Sequence, residues 1–182
     1  MTSEEKLIKS AKNGDREAFG SLYDSHVAPI YRFILVKVGN KADAEDLTHQ
    51  VFLSAWQGLS GYKFQGFPFS SWLYRIASNA VIDFYRTNKK HADIDSVPEE
   101  VLAHNPDFQT TADNEMMVRF VKSAMVDMDY DQQSVLTLKF VNDLSNKEIA
   151  KIINKSEGAV RVIQHRALKQ LRSKINGDTR FS

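Results

Sequence analysis

Between Leu138 and Arg172 apolar residues recur at helical spacing in two runs, and a serine stands ahead of each. That pattern predicts two capped helices joined by a tight turn. Ser145 and Glu148 have the spacing of a capping box, in which the serine hydroxyl accepts from the Glu148 amide and the carboxylate reaches back to the Ser145 amide. Ile149, Ala150 and Ile153 supply an apolar face for about two turns. Asn154 and Lys155 interrupt the run, and Ser156 is placed to cap the next helix. There Val160, Ile163, Ala167 and Leu171 recur at three- and four-residue spacing, which predicts one buried stripe.

The other side of the second helix carries Arg161, Val162, His165, Arg166 and Lys169. Arginine bonds guanine edges or phosphates, lysine suits phosphate, and an outward valine can meet a thymine methyl. Gly158 and Ala159 keep the leading turn slim enough to enter a groove. A basic amphipathic helix alone is more often a solvated face. A short capped helix, a brief turn and a second capped helix reverse that reading in favour of duplex DNA. Lys139, Lys147, Lys151, Lys155, Arg161, Arg166, Lys169, Arg172 and Lys174 face only Asp143, Glu148 and Glu157 along this segment, whereas the whole chain has a formal net charge of +1.

Upstream, residues 3 to 13 predict a short helix closed by Gly14, and Asp15 caps a longer one containing Ala18, Phe19, Leu22, Tyr23, Val27, Ile30, Tyr31, Ile34 and Leu35. Pro29, which cannot donate the intrahelical bond, predicts a kink. Gly39 and Asn40 break the pattern. Ala42, Leu47, Val51, Phe52, Ala55 and Trp56 then outline a third helix ending near Gly58, followed by an aromatic loop over 59–69. A fourth helix, from about Ser70 to Thr87, is expected to bury Leu73, Ile76, Ala77, Ala80, Val81 and Phe84. From His91 to Asp113 the periodicity fades, two prolines intervene and acids accumulate, as in a flexible linker. Met116, Phe120, Ala124 and Met125 suggest another helix, and Val135, Leu136, Leu138, Lys139 and Phe140 one more. No strand, repeat or low-complexity tract stands out. The expected fold class is all-α, two small helical domains over 1–90 and 114–182 with a linker over 91–113, the second holding the helix-turn-helix.

The 182 residues, 42% of them hydrophobic, suffice for one domain or two small ones. Absence of cysteine excludes a disulfide framework and thiolate metal sites and fits a reducing cytoplasm. The first residues lack a secretory layout, and no apolar run nears the roughly 20 residues of a membrane span. A soluble, cytoplasmic chain without direct membrane insertion is expected. His26, His49, His91, His104 and His165 show no metal-ligand spacing, no glycine loop cradles phosphate, and no nucleophile sits in an activating motif. No enzyme, no metal and no cofactor is expected.

Three blocks then resemble one family, the extracytoplasmic-function sigma factors of the sigma-70 family. The stretch from Asp43 to Trp56, DAEDLTHQVFLSAW, is similar to the family helix that docks on the clamp of RNA polymerase. The stretch from Phe69 to Arg86, FSSWLYRIASNAVIDFYR, is similar to the segment that handles the minus-10 promoter element. The helix pair at 138–172 is similar to the reader of the minus-35 element. The resemblance implies minus-35 binding by Lys155, Ser156, Arg161, Val162, His165, Arg166 and Lys169, and polymerase docking by Asp43, Asp46, Leu47, Gln50 and Phe52. It implies minus-10 binding by Tyr62, Lys63, Phe64, Asn79, Asp83 and Arg86.

The residues themselves suit these tasks. Tyr62, Lys63, Phe64 and Phe67 mix aromatic and basic groups, which stack an unpaired base and neutralise phosphate. Holding out such a base offsets an unstacking cost of roughly a few kcal/mol. Trp72 and Phe69 fit the hydrophobic core better than a binding surface; for Tyr62, Phe64 and Asn79 the resemblance decides. Asp43, Glu45 and Asp46 equally suit the positive amino-terminal end of their helix. Departures from the family pattern occur at His49, Gln50, Ala159 and the Val162–Gln164 run, and imply altered contacts and minus-35 preference. The expected function is an initiation factor that binds core RNA polymerase and promoter DNA, held in check by an anti-sigma factor. A non-sigma helix-turn-helix regulator is the alternative, with a protein-interaction adaptor a third class.

Overall fold

The computed structural model describes residues 2–64, 67–87, 125 and 127–177, the last three of these as backbone only. The expected linker at 91–113 and the predicted helix around Met116, Phe120 and Ala124 lie outside the described residues.

Helix α1 (Ser3–Lys12) starts from a capping box between Thr2 and Glu5. Gly14, at φ +92°, turns the chain. The Asp15 carboxylate then accepts from the Glu17 and Ala18 amides at 3.0 and 3.1 Å to start α2 (Arg16–Val38). The Ala18 amide, helped by the Ser10 hydroxyl, holds the Asp15 carboxyl below its ordinary value. Helix α2 is continuous through Pro29 and ends where Gly39, at φ 72°, adopts the left-handed conformation. Asn40 caps α3 (Lys41–Gly58). A 3-10 turn (Leu59–Gly61) leads into the aromatic loop, and α4 (Phe69–Thr87) follows.

In the C-terminal part, a capping box between Asp129 and Gln132 opens α5 (Tyr130–Leu136). The helix expected through Phe140 instead widens at Thr137 into a π-helical turn (Thr137–Val141). The Asn142 amide reaches the Thr137 carbonyl at 3.2 Å and the Leu144 amide the Leu138 carbonyl at 3.0 Å. Asp143 between them takes φ 53°. The capped pair predicted from sequence is present as α6 (Asn146–Ile152) and α7 (Glu157–Gly177). No strand occurs among the described residues.

Helix α2 packs against α1, α3 and α4, and α3 against α4; in the C-terminal unit, α5 and α6 pack on α7. Leu22, Ile30, Phe33, Ile34, Val51, Phe69, Leu73 and Val81 are fully buried in the first unit, and Val135, Leu138, Ile149 and Val160 in the second. The two sets belong to one connected apolar core, because α6 lies on α4 and the π turn on α2.

Polar groups fix that junction. Lys37 is only 2% exposed. Its Nζ donates to the Tyr130 carbonyl at 3.1 Å and the Ser134 hydroxyl at 2.7 Å, and lies 4.0 Å from the Tyr130 ring centroid. The Tyr130 hydroxyl meets Ser78 Oγ at 2.9 Å. Asn142 Nδ2 donates to the Pro29 carbonyl at 3.2 Å and the Tyr74 hydroxyl at 2.8 Å.

Candidate nucleic-acid interface

The turn between α6 and α7 sets the direction of α7. Ser145 Oγ accepts from the Glu148 amide at 3.3 Å and the Glu148 carboxylate from the Ser145 amide at 2.8 Å. At the far end Asn154 takes φ 55° and the Lys155 amide closes on the Ala150 carbonyl at 2.9 Å, the backbone arrangement that ends a helix with a left-handed residue. Ser156 Oγ then accepts from the Ala159 amide at 3.1 Å and starts α7. Ser156 therefore has a structural task whatever else it touches.

Val160 and Ala167 of the predicted stripe are fully buried, with Ile163 and Leu171 half-buried beside them. Arg161, Val162, His165, Arg166 and Lys169 are exposed, Val162 to 49%. Arg161 rests on Glu157 at 2.6 Å and Lys155 on Asp131 at 3.0 Å. Exposed pairs of this kind contribute about 0–1 kcal/mol, so a phosphate or a base edge displaces them at small cost.

A second surface lies between α3 and α4, an open groove of about 560 Å³. It brings together Asp43, Asp46, Leu47 and Gln50, expected to dock polymerase, with Asn79 and Asp83, expected to meet the minus-10 strand. Three carboxylates in one groove repel phosphate. Any nucleic acid here must present base amino groups, which carboxylates accept, and a basic protein surface fits it at least as well. Arg86 pairs with Asp83 at 3.2 Å. Phe52 departs from the docking expectation: its ring is buried and packs edge-on against Tyr23 at 4.7 Å, so it supports α3 from inside.

The aromatic loop borders a third surface, a groove of about 250 Å³ lined by Tyr62, Lys63, Phe67, Trp72, Arg75 and Lys151 among others. Tyr62 departs from the expected stacking role. It is only 9% exposed, its ring contacts Phe69 at 5.3 Å and Trp72 at 5.0 Å, and its carbonyl accepts from Lys12 Nζ at 2.7 Å. Phe64, in contrast, is 63% exposed, and Lys63 is exposed beside it. Phe69 is core, as its apolar character predicted, and Trp72 is half-buried.

Sequence reasoning gave Arg75, Lys37 and Asn142 no role at these surfaces and counted Lys151 only among the basic residues of its segment. Arg75 and Lys151 supply positive charge to the aromatic groove. Lys37 and Asn142 fasten the two units, and burial, partly offset by Asn142 and Arg32, pushes the Tyr74 phenol beside Asn142 up to about 12. Lys37 had left a sign: it follows Ile30 and Ile34 on an apolar stripe where a surface lysine does not belong. Among the described residues there is no cluster of His, Asp or Glu able to hold a metal ion, and no helix is long and apolar enough to cross a membrane.

Comparison with known proteins gives the arrangement a family. The model of sigma-70 region 2 matches residues 22–91, and that of sigma-70 region 4 matches 124–173. The ECF RNA polymerase sigma factor BldN of Streptomyces coelicolor is 32% identical over 179 residues, covering 96% of this chain and 67% of its own length. The ECF RNA polymerase sigma factor SigW of Bacillus subtilis is 28% identical, covering 93% and 95%. The solved structure of CnrH in complex with the cytosolic domain of CnrY shares the fold, with a TM-score of 0.74 at 24% identity over 98% of this chain and 100% of that one. A stand-alone helix-turn-helix regulator, the alternative expected from sequence, is not favoured, because region 2 accompanies region 4. The chain belongs to the extracytoplasmic-function branch of the sigma-70 family and is an alternative sigma factor, which binds core RNA polymerase and directs it to specific promoters.

Proposed function

We propose a division of this task between named surfaces. Residues 1–90 form the unit that docks on core polymerase through Asp43, Asp46, Leu47 and Gln50, with Phe52 holding their helix from below. The same unit takes the opened minus-10 strand with Lys63, Phe64, Asn79, Asp83 and Arg86; Tyr62 joins only if its ring leaves the core. Residues 91–113 link it to 114–182, which reads the minus-35 duplex with Lys155, Arg161, Val162, His165, Arg166 and Lys169, and with Ser156 where the cap approaches the backbone. The protein works in the cytoplasm without catalysing a reaction of its own, RNA synthesis belonging to the polymerase. An anti-sigma protein completes the partners; exposed Leu53 and Ile82 on α3 and α4 support a protein contact there.

The observation that carries the reading is α7: an apolar stripe buried inside and a basic face outside, aimed by a capped turn. Transcription reconstituted with bacterial core polymerase on genomic DNA tests it, with start sites mapped. Initiation at sites sharing two upstream elements is expected; a folded chain that directs no initiation would refute it. Substituting Arg161→Ala and Arg166→Ala removes donors each worth about 1–3 kcal/mol at a base edge. With both replaced, binding of a minus-35 duplex is expected to fall by roughly one and a half to four orders of magnitude with core-polymerase binding unchanged; equal loss of both contradicts the division of labour.

A further inference from the structure

Helix α7 carries one acidic side chain, and it stands at the end that leads into a groove. Glu157 opens the helix and is exposed, as are Gly158, Arg161, Val162 and His165 behind it. A recognition helix contacts base edges with its N-terminal residues, so Glu157 travels to where the bases are. The space beside Gly158 is open, a Cβ there meeting only Ser156 Oγ at 4.0 Å, and nothing bulky holds this tip away from DNA. Yet a carboxylate opposes DNA in general. Phosphates repel it, and the major-groove edges of guanine and thymine present acceptor atoms to it. An acid does suit the positive end of a helix, but Ser156 already caps α7, and that task makes no demand on the sequence of the DNA.

The position of Arg161 gives the carboxylate a second task. Arg161 Nη2 meets Glu157 Oε1 at 2.6 Å. The two side chains leave α7 one turn, about 5.4 Å, apart, and their tips touch, whereas base pairs stack about 3.4 Å apart. The pair therefore addresses one base pair or two adjoining ones. Being exposed, it holds together weakly, and Arg161 leaves it for the O6 and N7 atoms of a guanine. The carboxylate then stands in the groove without a donor. Only the amino groups of cytosine and adenine donate there. Adenine N6 lies beside N7, an acceptor that repels a carboxylate, whereas cytosine N4 has no acceptor next to it. The chemistry singles out cytosine.

We propose that Glu157 is a specificity-determining residue of the minus-35 reader: its carboxylate accepts from the amino group of a cytosine in, or next to, the base pair whose guanine Arg161 takes, and rejects the other bases there. This role rests on the assignment of α7 to the minus-35 duplex made above. It adds to the arginines a contact that works by exclusion, since an unmatched carboxylate weakens every site that lacks the cytosine. The test uses the full-length protein bound to core polymerase and a mapped promoter whose minus-35 element is randomised, with the bound duplexes sequenced. The wild type is expected to select a cytosine in or beside the base pair whose guanine is no longer selected by Arg161→Ala. Replacing that cytosine is expected to weaken wild-type binding roughly 5- to 150-fold, the worth of one good base contact. Glu157→Ala should bind both duplexes equally well. Glu157→Gln, whose amide both accepts from adenine N6 and donates to N7, should change the selected base from cytosine to adenine.

A charge that served only the helix end would change affinity for all duplexes alike and leave the ratios between them as they were. Unchanged base selection by Glu157→Ala therefore overturns the proposal, and so does a wild type that selects no cytosine at that place. Core-polymerase binding checks the fold of each variant. Should Glu157→Ala lose it, Glu157→Gln, which keeps the size of the side chain, decides by the same selection. Base selection that survives Arg161→Ala with Arg166→Ala would refute the assignment of α7 itself; selection that depends on the arginines but not on Glu157 refutes only the role of Glu157.

Discussion

Asn154 and Asp143 are the non-glycine residues with positive φ among the described residues, at 55° and 53°. Both stand where a helix stops, and Asn154 sets the angle at which α7 leaves α6. Asparagine tolerates this conformation because its short side chain bonds locally, whereas a β-branched residue meets its own carbonyl. Asn154→Val is expected to lower stability in urea unfolding by about 1–2 kcal/mol, and Asn154→Gly to change it by less than about 1 kcal/mol. Equal stability of the valine variant and the wild type would mean that the turn is not left-handed. The substitution also reaches function, because α7 carries Arg161 and Arg166 out from this turn. Single residues were legible in the sequence to unequal degrees. Val160 and Ala167 faced inward as their spacing required, but Tyr62 and Phe52 faced inward too. Aromatic residues in a loop or at a helix flank suit a core and a binding surface alike, and only packing against rings from other elements, Phe69 and Trp72 for Tyr62 and Tyr23 for Phe52, decides.

Among elements, α6 leans on its cap, as the equally short α5 does. It spans seven residues, too few to persist alone, since isolated helices under about 12–15 residues are marginal in water. Ser145→Ala removes the hydroxyl that meets the Glu148 amide and is expected to cost about 1 kcal/mol. Amide hydrogen exchange should place the loss in α6, with faster exchange there and little change in α3; uniform acceleration over both units would show that α6 does not open separately. The capping box was readable because it lies within four residues. The same spacing at Thr2–Glu5 and Asp129–Gln132 forms two further capping boxes, which the sequence reading did not use although it placed a helix over residues 3 to 13. The π turn at Thr137–Val141 was not readable, because its apolar residues match an α-helix equally well and its register follows from packing on α2. Likewise, spacing placed Asp43, Asp46 and Asn79 on two helices, but only the packing of α3 on α4 put them in one groove.

At the scale of the whole molecule, the junction between the units links their closure on one another to pH. Burial pulls the Lys37 ammonium from its ordinary 10.5 down to about 7, against the opposing pull of Asp131 and Asp129. The other titratable groups against it are Tyr130 and Tyr85, whose phenols burial pushes up and so keeps neutral through this range; Asp131 is shared with Lys155. When the units part, Lys37 meets water and regains its ordinary value. Below about pH 7 both states hold the proton, and closure carries the full cost of a buried charge. Between about 7 and 10.5 the open state holds more protons than the closed one, so raising the pH favours closure, by at most about tenfold per pH unit for one proton. Energy transfer between dyes at Ser60→Cys and Ser173→Cys, followed from pH 6 to pH 9 at constant ionic strength, is therefore expected to show the closed fraction rising above about pH 7. Lys37→Met keeps the length of the side chain and removes the titration, so its closed fraction should be flat over the same range. A wild-type closed fraction that falls as the pH rises, or a Lys37→Met profile as steep as the wild type, would mean that another group governs the junction.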